Sequence, residues 1–419
     1  MWQLVLLGLL AADADGPVPP DPAAMARDLV AEVAETRGLP FEREVPVRVI
    51  DDGAARVHLL SRIHEFQSED EMRRSERAYR RLGLLPQGYD VLDAFLDVMR
   101  EQAAGYYDPA TGAFYLLDDV PTTSARIVMV HELTHALEDQ HFDLDGRLRE
   151  VLDNDDRLLA RSAIHEGSAT LLMTLYLTKK LMAGEIGADA LESFGGIERS
   201  GALGALPQVL QRQLVVPYVL GPAFLARGNL AAVATGAFPV TDVDGAYADP
   251  PESSEQILHP AKYWGPGERD EPLEVGLGTA GSVLGDGFEL VATGVLGELG
   301  IGPLVGAPTP VDLADLRVMD GERWTNDAAA GWDGDRWELW GRGDTDVILL
   351  GSVWDTEADA VEFLDGLASN SRLRARRDGN RVAVVAGIKG RRADRALARI
   401  LEAGAPAAEA ELEPRGAGR

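Results

Sequence analysis

At 419 residues the chain is long enough for two or three domains and a substantial core, and 26% charged with 46% hydrophobic residues is the balance of a globular protein. With 69 acidic against 40 basic residues and a net charge of -29, an extended nucleic-acid surface is excluded, because phosphate binding needs basic patches. There is no cysteine, which excludes disulfides, thiolate ligands and a Cys nucleophile, so a metal site here has to be built from His and carboxylate.

The chain opens on MWQLVLLGLLAADADG, an apolar run followed by Ala12-Asp13-Ala14, a small-x-small cleavage pattern. Residues 1–14 are therefore expected to be a signal peptide, though one without a basic residue, and the protein to be exported to the periplasm or beyond. No later stretch reaches the roughly 18 unbroken apolar residues of a spanning helix, so no stable membrane insertion is expected after signal removal.

A Pro-rich joint, GPVPPDP (16–22), precedes a helix expected over 22–37, a strand at 45–50 and helical segments near 54–82 and 88–100. EDEMRRSERAYRR reads as a solvated face, and His58 and His64 as surface residues on a charged helix. GYYDPATGAFYLL (105–117) has two aromatic-rich runs around a turn and reads as a hairpin. Pro121-Thr122-Thr123-Ser124 then supplies capping residues for a helix to about residue 140, and Asn154-Asp155-Asp156 starts another over about 156–183.

Residues 184–320 are Gly- and Ala-rich, with helical stretches and a polar, Pro-containing loop over 242–272. Beyond them, RWELW and VILLGSVW (336–354) pair as a hairpin. A helix (356–367), two strands around DGN and a last helix (390–403) complete a ββαββα pattern. Five of the seven tryptophans lie between 324 and 354, where core packing is the expected role. The fold class is thus α+β. A mainly helical core over 22–320 carries a small antiparallel sheet, a smaller α+β domain spans 330–403, and 404–419 is a disordered tail.

The chemistry is concentrated in VMVHELTHALEDQHF (128–142). Residues four apart on a helix differ by about 40°, so His131 and His135 share one face and reach a single tetrahedral ion at about 2.0–2.1 Å. Glu132 lies about 100° round, out of the metal's first shell but within reach of a water beside it, as a general base requires. The uncharged, mostly apolar flanks VMV and LT–AL are those of a buried helix.

The third ligand is less local. The pattern HExxHxxGxxH would use His141, but the Gly that lets such a helix stop is here Glu138, and a continuing helix turns His141 about 80° from His131. On the next helix, ARSAIHEGSATLLM (160–173) offers Glu166 among small residues that permit close helix approach. That set, His131, His135 and Glu166, is a His2Glu zinc site with an open fourth position. His165 is the neighbouring rival, turned about 100° away.

HELTHALEDQHF followed by HEGSA resembles the gluzincin clan of zinc metallopeptidases, closer to a group of largely uncharacterised bacterial putative metallopeptidases than to the thermolysin branch. The resemblance extends to GYYDPATGAFYL, to PPESSEQILHPAKY (250–263) and, less specifically, to GWDGDRWELW with VWDTEADAVEF, covering most of residues 25–370. It implies a zincin-like core that binds Zn2+ through His131, His135 and Glu166 and hydrolyses peptide or protein substrates with Glu132 as base. One departure is Thr170, where the thermolysin branch has an Asp that orients a ligand. Asp139 or the Asn154–Asp156 cluster is expected to do so instead.

An oxyanion donor is also required. His259, in SSEQILHP, is the candidate, with Tyr106 or Tyr107 as alternatives. The strand at 113–117 is expected to be the edge along which an extended substrate adds. Two other readings stay open: a non-catalytic zinc-binding scaffold of the same fold, and a metzincin-like protease using His141.

Overall fold

The computed structural model describes residues 17–186, 201–229, 231, 240–267, 269–309 and 316–403. The expected signal peptide and the expected tail lie outside them. The fold is mixed α+β, with a small three-stranded sheet and a five-stranded antiparallel sheet. Among the described residues, no helix is long and apolar enough to cross a membrane.

Helix α1 (Pro22–Arg37) begins at an Asp21 cap with Pro at its first position and ends at Gly38, whose φ of 75° supplies the left-handed turn. Strand β1 (Val47–Ile50) follows. The segment 54–82, expected as one helical stretch, divides into α2 (Asp52–Phe66) and α3 (Glu69–Leu82). Ser68 breaks it by forming a capping box with Glu71, and the local hydrogen bonds of that box replace the ladder of a continuous helix. Helix α3 is also no merely solvated face. Met72, Tyr79 and Leu82 are buried, and the helix packs on the C-terminal sheet, where Tyr79 meets Trp337 edge to face.

Helix α4 (Val91–Gln102) leads into β2 (Gly105–Asp108) and β3 (Ala113–Leu117), the hairpin the aromatic runs announce. The strand order is β1-β3-β2, with β3 antiparallel to β2 but parallel to β1. The small sheet is therefore mixed rather than antiparallel, and 113–117 is its central strand. It cannot serve as a substrate edge, because both its sides are already hydrogen-bonded to neighbours.

Helix α5 (Thr122–Phe142) starts after Pro121 without a side-chain cap, and Thr122 instead bonds the Pro17 carbonyl. The short α6 (Leu144–Arg149) turns the chain, and α7 (Asp155–Met182) begins with Asn154 accepting from the amides of Asp156 and Arg157. Helices α8 (Gly201–Ala205) and α9 (Gln208–Leu225) follow. The expected 242–272 loop contains α10 (Val240–Ala248), α11 (Ser254–Leu258) and α12 (Pro260–Trp264), short helices whose buried Val243, Tyr247, Ile257 and Tyr263 were obscured by the surrounding polar residues.

The C-terminal sheet runs β4-β5-β6-β8-β7, built from β4 (Glu289–Gly294), β5 (Trp332–Arg342), β6 (Thr345–Trp354), β7 (Leu373–Asp378) and β8 (Arg381–Ala386). Helix α13 (Gly297–Ile301) follows β4, and α14 (Glu357–Leu367) and α15 (Gly390–Ala403) complete the ββαββα order. Strand β4 comes from inside the expected 22–320 segment, so the sheet recruits chain from before residue 330. Alternation along β6 sends Val347, Leu349 and Val353 toward α15, and Ile348, Leu350 and Trp354 into the main core. That core runs unbroken from Leu133 and Leu137 of α5 to Trp337 and Trp354, so the two regions are packed as one body. Trp324, Trp332, Trp337 and Trp354 are fully buried, the packing role expected of the cluster.

Candidate metal centre

Helix α5 is buried on every side over Ile127–Glu138, as its uncharged flanks require. Helix α7 lies against it, and α9 lies against α7. The second contact is close because both helices present glycine. A Cβ on Gly167 would stand 2.5 Å from the Gly221 carbonyl carbon, and one on Gly221 would stand 2.2 Å from the Ala163 oxygen.

Three ligand atoms converge where α5 meets α7. His131 Nε2 lies 3.0 Å from His135 Nε2 and 3.1 Å from Glu166 Oε2, and His135 Nε2 lies 3.4 Å from the same carboxylate oxygen. A tetrahedral ion with bonds of about 2.0–2.1 Å spaces its ligand atoms about 3.3–3.4 Å apart, so the triangle fits zinc to within a few tenths of an ångström. Both histidines are fully buried and Glu166 is 4% exposed. Burial alone would raise the Glu166 carboxyl, but the charge of His135 and hydrogen bonds from His131 and His135 bring it down to about 2. Each histidine aims Nε2 at the shared point, while its Nδ1 is buried without a protein hydrogen-bond partner. A metal bound there would take the Nε2 lone pairs in place of those hydrogen bonds, with each ring's remaining proton on Nδ1.

Glu132 is fully buried outside the triangle, and its Oε2 accepts from the Tyr107 amide at 2.6 Å. That amide points away from β3, so the unpaired side of β2, buried and packed against α5, is what borders Glu132.

His141 is elsewhere. Its Nε2 lies 2.7 Å from the Pro40 carbonyl, and α5 continues unbroken through Glu138, so the turn a metzincin needs is missing. His165 stacks on Tyr247 at 5.6 Å and stands outside the triangle, with burial and then His135 holding it neutral, at about 3. The residues expected to orient the histidines have other work. Asp139 accepts from the Tyr107 hydroxyl and the Leu144 amide, Asn154 caps α7, and Asp156 accepts from the Ser254 amide.

His259 is not brought to the triad. Its Nε2 lies 3.1 Å from both oxygens of buried Glu298 and its Nδ1 3.3 Å from Glu322, beside the β4–α13 region. Burial opposes protonation of this ring, but the two carboxylates raise its pKa. Its neighbour α11 is tied to Asp156, about 15 Å along α7 from Glu166, and only the folded chain reveals that separation. Of the alternative donors, Tyr107 gives its hydroxyl to Asp139, and the Tyr106 ring stacks on Tyr115.

His64 is on the surface as expected, 3.8 Å from Glu69. His58 is half-buried: it lies 3.2 Å from buried Asp108 and meets the Tyr115 ring edge-on. Helical periodicity carried no sign of this, because Asp108 comes from β2.

One residue at the centre was missed. Tyr218 of α9 stacks over His131, with ring centroids 6.2 Å apart and planes 17° from parallel. Its local signal, a tyrosine in VVPYVLGP three residues before Gly221, acquires meaning only once Gly221 is known to touch Gly167. A second cluster of ligand-type residues, Glu255, Asp270 and Asp355, is centred on the Lys262 ammonium at 2.7, 2.6 and 2.9 Å, and is an ion-pair network rather than a metal site.

Compared with known proteins, residues 288–398 match a domain of unknown function, DUF8575. The match covers the C-terminal sheet from β4 into α15 and does not reach the triad. No curated protein and no solved structure matches the chain.

Proposed function

We propose that the protein is a zinc-dependent endopeptidase, with His131, His135 and Glu166 as metal ligands and Glu132 as general base. The observation that carries this reading is the buried triangle of ligand atoms at tetrahedral spacing, with a carboxylate that is not a ligand on the next residue of the same helix. Zinc held there would supply Lewis acidity to the scissile carbonyl and acidify a water. Glu132 takes the proton of the attacking water on its carboxylate and returns one to the leaving amine. The Tyr107 amide fixes that carboxylate in place.

The test is metal content and casein hydrolysis on purified full-length protein. Glu166→Ala is expected to lose zinc, His141→Ala to keep it, and Glu132→Ala to keep zinc while hydrolysis falls at least about 100-fold. A second reading, a zinc-holding scaffold, is favoured by the complete burial of His131, Glu132 and His135. It is the better one if wild type binds zinc stoichiometrically and cleaves nothing.

A further inference from the structure

Glu138 follows His135 by one turn of α5 and is fully buried, yet it is not a ligand. Its carboxylate gathers donors from three other helices. Arg37 Nε of α1 donates at 2.6 Å and Ser168 Oγ of α7 at 2.5 Å to Oε1, and the Tyr247 hydroxyl of α10 donates at 2.8 Å to Oε2. Arg37 is itself fully buried and reaches Asp244 at 2.7 Å. Two of these contacts lead to residues beside the ligands. Ser168 is two residues beyond Glu166, and the Tyr247 ring lies between His165, at 5.6 Å, and Phe142, at 4.3 Å.

We propose that Glu138 is the positioning residue of the metal centre: its bond to Ser168 sets how far α7 stands from α5, and so where Glu166 meets the two histidines. The proposal rests on the metal reading of the triad. Helix α5 supplies two ligands and α7 the third, so any slip between them opens the triangle at Glu166. Apolar contacts around α5 hold the helices together but are non-directional. The bond through Glu138 is directional and specifies the register. The histidines' Nδ1 atoms have no protein partners, so support for the ligands from carboxylates comes through this helix-to-helix link rather than through the imidazoles.

The experiment uses the full chain, with Zn2+ affinity read by chelator competition and ligand geometry by the visible absorption of the Co2+-loaded protein. Ser168→Ala removes only the cross-helix bond. Arg37→Met with Glu138→Leu removes the buried charges together, which avoids stranding either. Ser168→Ala is expected to keep the wild-type melting temperature to within a few degrees, whereas the double variant, which leaves the buried Ser168 and Tyr247 hydroxyls without their acceptor, is expected to melt lower. Zinc affinity should fall by about 10–100-fold in the double variant, as for other groups just outside a metal's ligands. It should fall less in Ser168→Ala, and the Co2+ spectrum should change in both. Arg37→Met with Glu138→Gln keeps an acceptor oxygen for Ser168, while the amide NH2 donates to the Tyr247 hydroxyl, and should recover most of the affinity. Wild-type affinity and spectrum in folded Ser168→Ala and in the double variant would overturn the proposal. If the double variant does not fold, Ser168→Ala decides. A folded wild type that binds neither metal overturns the metal reading, and this proposal with it.

Discussion

Asp156, in the first turn of α7, allows a sharp test of the packing between the metal-bearing helices and the C-terminal sheet. It is 3% exposed, accepts from the Ser254 amide, and faces Asp335 and Glu298. Burial, helped by those two neighbouring acids, pushes its carboxyl up to about 7. A raised carboxyl binds its proton more tightly in the folded than in the unfolded chain. Its contribution to stability is therefore complete below about pH 4 and is lost as pH rises through about 7. The gap of roughly three pH units corresponds to about 4 kcal/mol, and the helix N-terminus, which favours the ionised form by about 0.3–1 kcal/mol, trims this to about 3. Asn is nearly isosteric, keeps the acceptor for Ser254 and cannot ionise. Urea unfolding from pH 4 to 8 should show Asp156→Asn losing about 3 kcal/mol less than wild type over that range, and more stable than wild type at pH 8. Parallel slopes for the two proteins would show that the Ser254 amide and the helix terminus fully satisfy the ionised carboxylate, and the desolvation argument would fail. Asp335, itself raised to about 6 by burial, is relieved of the Asp156 charge in the variant, and that relief acts in the same direction as the predicted difference.

Other expectations follow from single contacts. Gly221→Ala puts a methyl 2.2 Å from the Ala163 oxygen, so α9 must retreat by about 1 Å. Thermal unfolding should register a loss of about 1–3 kcal/mol, with weakened zinc binding as Tyr218 leaves His131. Tyr218→Phe keeps the stack and should bind zinc as wild type does, whereas Tyr218→Ala should bind it more weakly in the same competition titration. His141→Ala removes a ring held by the Pro40 carbonyl and should cost about 0.5–1.5 kcal/mol in urea unfolding with no change in bound metal.

Local features were legible in the chain. Four-residue spacing placed His131 and His135 on one face, apolar flanks required a buried helix around them, and the small residues about Glu166 announced a close helix contact. The strand–turn–strand signals of the C-terminal region gave its ββαββα order for the same reason. What depended on distant pairings was decided by the tertiary structure alone. Alternation shows that 113–117 is a strand but not that β1 pairs along one side and β2 along the other, which makes it central rather than an edge. Nothing near His259 announces Glu298, nothing near His58 announces Asp108, and nothing near Glu138 announces Arg37, a residue of the first helix. In each case the partner lies on another element, and the cost of burying a charged or polar side chain is met only when the folded chain brings that partner within hydrogen-bond distance.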